Sequence, residues 1–255
     1  MKSLICNLAD YSPVNREYFI LSFLWNGQAP KAGQFFMIKP YRTSVFLARP
    51  ISVCEYNETK NIVKFLIARR GRGTEELSLL EIDERVQLTG PLGNAWEIFL
   101  PEKGNAALIG GGAGIAPLAA LVREKPDYNF HFYAGFKCGF CEKEEKEAML
   151  GSASYAKKLI IAAEDGINAL GGRIVDFLFE PEKYDAVFAC GPLSMLKAVK
   201  EKCDKCGVPC YVSLERRMAC GAGVCLGCTV RTVKGNRRCC TDGPIFPTGE
   251  LIFDE

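Results

Sequence analysis

Over the first hundred residues the apolar positions fall in short runs that alternate with polar ones and stop at Gly, Pro or Asn. Residues 19–24, 34–38 and 62–68 are rich in β-branched and aromatic side chains, which predicts strands of an antiparallel barrel or sandwich. In the last of these, Val63, Phe65 and Ile67 share one face. From residue 105 the rhythm changes. Ala106, Ala107, Leu108 and Ile109 form a short buried strand that runs into Gly110, Gly111, Gly112, Ala113 and Gly114, and then into an apolar helix over residues 118–122. Pro117 is tolerated only in the first turn of that helix. Strand candidates recur at 129–134, 158–163, 184–190 and 208–214 with helices between them, which predicts a parallel sheet with crossover connections.

A chain of 255 residues with 48% hydrophobic content can build two compact cores, so two domains are the first expectation. The net charge of +2, with both signs scattered, lacks the basic footprint of a nucleic-acid binder. The opening Met-Lys-Ser-Leu-Ile-Cys-Asn-Leu-Ala-Asp carries no apolar secretion signal, and no apolar run reaches membrane-span length. A cytoplasmic protein is expected, whose thirteen cysteines serve as metal ligands or stay free. The single histidine, His131, falls in an apolar run and reads as a strand residue.

The densest chemistry lies between residues 214 and 246. Cys220, Cys225 and Cys228 are spaced C-x4-C-x2-C, with a further thiol at Cys239 or Cys240, the plant-type spacing for a [2Fe-2S] cluster. Gly221, Gly223 and Gly227 let the chain wrap tightly around such a group. Zinc, which favours C-x2-C pairs, and disulfides are the competing readings. Two motifs in the β-rich part suit a cofactor. Pro50, in Arg49-Pro50-Ile51-Ser52, puts its strand at an edge or turn. In Arg70-Gly71-Arg72-Gly73-Thr74, two glycines lead into a short helix with Thr74 at or near its N-cap, a seat for a pyrophosphate.

The loop 110–117 opens a βαβ unit without the G-x-G-x-x-G spacing, a variant nucleotide loop. Cys190-Gly191 ends a strand at its carboxyl edge, where a cysteine can touch a nicotinamide ring or pack behind the loop. Cys138 with Cys141, and Cys203 with Cys206, are C-x2-C pairs that together could hold zinc or act as redox pairs, and otherwise are free thiols. Residues 143–147 read as a solvated helix face.

Taken in order, these motifs resemble the electron-transfer subunits of dihydroorotate dehydrogenase B complexes, a branch of the ferredoxin reductase superfamily. The likeness rests on Arg49-Pro50-Ile51-Ser52, Gly71-x-Gly73-Thr74, Gly90-Pro91-Leu92-Gly93, the 110–117 loop, Cys190-Gly191, Ser213-Leu214-Glu215, Met218-Ala219-Cys220-Gly221 and Asp242-Gly243-Pro244. It implies an FAD-binding β-barrel over residues 1–102, a doubly wound, NAD-binding α/β domain over 103–213 and a [2Fe-2S] region over 214–255. FAD would lie along Arg49, Pro50, Ile51 and Ser52, against the backbone of Leu66, Ile67 and Ala68, with its pyrophosphate at Gly73 and Thr74. NAD would cross Gly110, Gly111, Gly112, Ala113 and Gly114 and approach Cys190 and Gly191. The resemblance also selects Cys240, two residues before the Asp-Gly-Pro, as fourth ligand beside Cys220, Cys225 and Cys228. Cys239 and the two extra C-x2-C pairs depart from the family pattern.

The implied partner is a catalytic, FMN-containing dihydroorotate dehydrogenase subunit, in a heterotetramer of two of each, docked through apolar side chains such as Met218, Val224 and Leu226. A flavin takes one electron or two, which would reconcile a one-electron cluster with hydride delivery to NAD in pyrimidine biosynthesis. No residue of the chain need act as general acid or base. The alternatives are an electron-transfer flavoprotein subunit of another complex (a hydrogenase, a sulfide-linked reductase or a ferredoxin:NAD(P) oxidoreductase) and, in a different class, a zinc-binding scaffold.

Overall fold

The computed structural model describes residues 2–41, 43–177 and 180–253. The first part comprises β1 (Lys2–Pro13), β2 (Tyr18–Leu24), β3 (Phe35–Pro40), β4 (Arg49–Ser52), β5 (Glu55–Asn57), β6 (Ile62–Ala68), the short helix α1 (Arg72–Leu77) and β7 (Arg85–Leu92). These strands form one antiparallel sheet in the order β4-β3-β7-β1-β2-β6-β5. Its two ends, β4 and β5, are joined by Val53 and Cys54 alone. Val53 N–H donates to Gln34 O at 3.0 Å and Cys54 N–H to Lys64 O at 2.9 Å, so the link curls the sheet into a barrel. Alternation drives the closure: every second residue of β7 is buried, and Val63, Phe65 and Ile67 of β6 point together into the core. There Trp25 meets Phe36 edge-on at 4.8 Å, and Phe36 meets Phe65 at 5.5 Å. Each such pair adds about 0.5–1.5 kcal/mol to what burial supplies. Pro50 sits on the edge strand β4, where its missing N–H costs no ladder bond.

The second part runs β8 (Asn105–Gly111), α2 (Ile115–Glu124), β9 (Asn129–Phe136), α3 (Lys143–Leu150), β10 (Lys158–Ala163), β11 (Leu170–Gly171), β12 (Ala186–Cys190), α4 (Leu193–Cys206) and β13 (Cys210–Ser213). The sheet order is β11-β10-β9-β8-β12-β13, parallel throughout. Strand order reverses on either side of β8, so the ligand crevice of such a sheet opens between the carboxyl ends of β8 and β12. His131 is a β9 residue whose Nδ1 lies 3.0 Å from the Tyr184 hydroxyl. On α3, Lys143 and Glu147 form an exposed ion pair, while Glu145 takes hydrogen bonds from Asn15 and from the Cys141 amide.

The last part contributes the hairpin β14 (Thr229–Thr232) and β15 (Gly235–Arg238), then β16 (Ile245–Pro247), which pairs antiparallel with β13 and extends the second sheet. One continuous core connects all three parts: Phe35, Met37 and Leu92 of the barrel pack with Met218, Cys228 and Val230, and with Val187 and Val212 of the parallel sheet. Among the described residues no helix is long and apolar enough to cross a membrane.

Candidate functional site

The four C-terminal cysteines are gathered by two devices. Between Cys220 and Cys228 the chain reverses through Gly221 (φ +65°) and Gly223 (φ +77°), conformations that L side chains rarely adopt. A Cβ at Gly221 would also stand 2.9 Å from Met37 and 3.0 Å from Leu92, so the loop rests directly on the barrel. The fourth thiol comes from across the hairpin, because Thr229 pairs with Arg238 and Cys239 N–H donates to Cys228 O at 3.1 Å.

Among the described residues no three His, Cys, Asp or Glu side chains converge on one point as a single metal ion would need. Instead the thiols pair, Cys220 with Cys225 and Cys228 with Cys240, and Cys240 lies within electrostatic reach of Cys220. Two pairs of sulfurs suit two irons better than one ion. Backbone N–H groups point at the sulfurs: Ala222 N–H to Cys220 at 3.3 Å, Gly223 N–H to Cys240 at 3.2 Å and Gly227 N–H to Cys225 at 3.5 Å. The Ala222 bond, followed by those from Cys225 and Val224, brings the Cys220 thiol down to about 6. Burial, and then the thiol of Cys228, push Cys240 up to about 11. Cys239 differs. Both thiols are buried in the same core, but the Gly223 N–H goes to Cys240, and at Cys239 burial followed by the Cys228 charge raises the pKa to about 12.

At the crevice the loop 110–114 and the Cys190–Gly191 turn touch backbone to backbone. A Cβ on Gly114 would lie 2.2 Å from Cys190 O, closer than any side chain permits. Cys190 is buried, its thiol bonded to the Ser213 side chain, and burial above all raises its pKa. The barrel supplies the facing wall. Tyr18 of β2 pairs with Ala68 of β6, and its hydroxyl would stand 2.9 Å from a Cβ on Gly112. Leu66 and Ile67 are buried and Ala68 is half-buried beside it. Arg49 lies across Gly73, whose Cβ would be 1.9 Å from the Arg49 Nε. Pro50, Ile51 and Ser52 are half-buried along β4.

Thr74 is not the N-cap of α1; that position is Gly71, and Thr74 lies three residues further on. Its Oγ1 accepts the Arg70 N–H at 2.9 Å and donates to Gly71 O at 3.0 Å, so it ties the turn together from inside the helix. Met218 is also corrected. Expected on a docking edge, it is buried in the core, whereas Val224 and Leu226 are 79% and 63% exposed. Leu226 adopts φ +57°, a strained conformation for a residue with a Cβ.

The two C-x2-C pairs do not meet. Cys138 and Cys141 are exposed beyond the carboxyl end of β9. Cys203 packs against Cys210 at the opposite, amino edge of the sheet, and Cys206 faces solvent near Glu182.

Three contributors were named in the sequence without a place in the crevice, or not named: Tyr18, Arg70 and Glu215. The Arg70 guanidinium reaches the Tyr18 hydroxyl, and the fields of Arg70 and Glu215 both act on it. Their signal was alternation in β2 and the position of Glu215 just past a strand end.

This constellation, an antiparallel barrel, a parallel nucleotide sheet and a cysteine loop, is of the ferredoxin-reductase-like class. The chain resembles the NADH-dependent reduced ferredoxin-NADP oxidoreductase structure with a TM-score of 0.79 and 24% identity, over 98% of this chain and 90% of that one. It also resembles a ferredoxin NADP+ reductase from Neisseria gonorrhoeae (TM-score 0.66, 15% identity, 86% and 96% covered). Residues 215–252 match the iron-sulfur cluster binding domain of dihydroorotate dehydrogenase B. Curated relatives named dihydroorotate dehydrogenase B (NAD(+)), electron transfer subunit, include one from Clostridium acetobutylicum, 38% identical over 88% of this chain and 87% of that protein. Another, from Caldanaerobacter subterraneus subsp. tengcongensis, is 36% identical over 93% of each. The chain belongs to the family of dihydroorotate dehydrogenase B electron transfer subunits.

Proposed function

We propose that this chain carries electrons from a catalytic, FMN-containing dihydroorotate dehydrogenase subunit to NAD+, and that it works in the cytoplasm as part of a heterotetramer with two copies of each subunit. The observation that carries the reading is the pairing of four thiols in a loop that rests on the barrel, in a chain whose parallel sheet carries a glycine-lined crevice at the carboxyl ends of β8 and β12. Cys220, Cys225, Cys228 and Cys240 would hold a [2Fe-2S] cluster, their charge spread by the N–H groups of Ala222, Gly223 and Gly227.

Arg49, Pro50, Ile51 and Ser52, the backbone of Leu66, Ile67 and Ala68, and Gly73 with Thr74 would hold FAD. Gly110, Gly111, Gly112, Ala113 and Gly114, with Cys190 and Gly191, would hold NAD. When bound, the cluster would supply one-electron chemistry and NAD hydride chemistry, with the flavin able to do both. The chain's own contribution is order and spacing, and it splits as barrel 1–102, nucleotide domain 103–213 and cluster region 214–255. None of its side chains need move a proton on the pyrimidine.

The partner would seat on the exposed tip at Val224 and Leu226. Leu226→Glu should weaken the complex at least about tenfold in a pull-down or calorimetric titration while leaving cluster absorbance intact. Co-purification with the native partner and a dihydroorotate-dependent NAD+ reduction assay test the whole reading. Dihydroorotate failing where another donor succeeds would move the chain to a different complex.

A further inference from the structure

Arg238 ends β15 and begins the turn that delivers the fourth thiol. Its carbonyl accepts N–H groups from Thr241 at 3.2 Å, Asp242 at 2.8 Å and Gly243 at 3.3 Å, so the intervening cysteines are wound about it. Asp242 answers from the other end of the turn. Its Oδ2 accepts the Arg238 backbone N–H at 2.8 Å and the guanidinium Nε at 3.1 Å, while its Oδ1 accepts Nη2 at 3.3 Å. An exposed ion pair contributes little by itself. This carboxylate instead takes a planar two-pronged fork and a backbone amide together, with its side chain only 19% exposed. The pair therefore fixes a turn as well as two charges.

The same guanidinium reaches the first cysteine loop. Its Nη1 lies 3.5 Å from Gly223 O, and the N–H of Gly223 donates to Cys240 Sγ at 3.2 Å. Packing agrees with the bonding: a Cβ on Gly223 would stand 3.0 Å from Thr241 Cγ2 and 3.4 Å from Arg238 Nη1, so this glycine lies directly on the turn that Arg238 and Asp242 close.

We propose that Arg238 is a positioning residue of the cluster site: its fork on Asp242 shapes the turn that presents Cys240, and its reach to Gly223 keeps that residue's N–H on the Cys240 sulfur. The inference rests on the reading that Cys240 is the fourth ligand. A hydrogen bond to a ligand sulfur and a fixed cation nearby both favour the form that holds one more electron, so Arg238 raises the potential at which the site accepts electrons. A lysine in its place would keep the charge and lose the fork.

Redox titration of the FAD- and cluster-loaded protein, followed by the reduced-state paramagnetic signal, tests this. At a fixed applied potential Arg238→Gln should lower the ratio of reduced to oxidised cluster about tenfold, a fall of about 59 mV in the midpoint. Arg238→Lys should lower it about threefold, because only the fork is lost. Both variants should release iron to a chelator about tenfold faster than the parent, with the far-UV circular dichroism unchanged. An unshifted midpoint in Arg238→Gln overturns the proposal and leaves a surface ion pair. So does an Arg238→Lys variant that matches the parent in midpoint and in iron release, since charge alone would then suffice. If Arg238→Gln takes up no cluster, Arg238→Lys decides by the same two readouts. A cluster lost in Cys239→Ala and kept in Cys240→Ala would remove the ligand reading instead, a result that no Arg238 variant can produce.

Discussion

Cys220, Cys225, Cys228 and Cys240 and the four cysteines of the two C-x2-C pairs are, by residue type, the same raw material, yet only the first four are brought together. In the cluster loop, two glycines at positive φ turn the chain back on itself and a hairpin delivers the fourth thiol from across a ladder. In the other pairs no such device acts: Cys138 and Cys141 lie in the loop between β9 and α3, and the other two on α4 and its last turn. Cys203 and Cys206 are three apart on α4, but one is buried against β13 and the other is exposed. Cys138 and Cys141 lie at the far edge of a sheet whose strands run five to eight residues in β8, β9, β10 and β12, and at about 3.3 Å per residue the two pairs cannot share an ion. A ligand set is thus made by non-local pairing as much as by local spacing.

The largest effect should come from Cys225→Ser. Cluster absorbance and the reduced-state paramagnetic signal should vanish, and electron flow from partner to NAD+ should fall by at least about 100-fold. FAD reduction by NADH should survive; a normal coupled rate would break the serial order. Next comes the adjacent pair. Cys240→Ala should lose the cluster, whereas Cys239→Ala should keep its spectrum and lose about 1–3 kcal/mol of stability by denaturant unfolding, the cost of a cavity at a fully buried side chain. The reverse result would exchange the two roles. Cys203→Ala should cost about 1–2 kcal/mol with no change in cluster or flavin spectrum. The smallest effect belongs to Cys138→Ser with Cys141→Ser, expected within about 0.5 kcal/mol of the parent and without loss of bound metal. Measurable zinc in the parent, absent from this double variant, would overturn the contrast.

Much of the fold was legible because burial writes itself into alternation. The strands at 19–24, 34–38 and 62–68 appear as β2, β3 and β6, and the edge position of Pro50 follows from its missing donor. The glycine loop and its helix were legible for the same kind of local reason. What local pattern does not carry is partnership across the chain. That β16 would join the parallel sheet in antiparallel sense depends on what lies beside it in space. Met218 carries an apolar side chain that suits a docking edge and a core equally well, and it is buried in the core that the barrel and the parallel sheet share. Thr74 is a good N-cap by type, but Gly71 precedes it and starts the helix sooner. Cys239 and Cys240 are indistinguishable by composition; both are buried in the turn that follows β15, and what sets Cys240 apart is the Gly223 N–H that its sulfur accepts from across the loop.

The edge strand β16 has a consequence for how the molecule is made. On a ribosome the chain emerges from its amino end, so β13 is complete while Ile245, Phe246 and Pro247 are still to be synthesised. Until they arrive, Tyr211, Val212 and Ser213 present an unpaired ladder to any other strand nearby, the kind of edge that invites aggregation of nascent chains. The residues that follow the last cysteine therefore cover β13 and leave a strand of only three residues as the outer edge. A newborn chain passes its most vulnerable moment only when its final strand is threaded into place, and chaperone dependence should be sought in that interval.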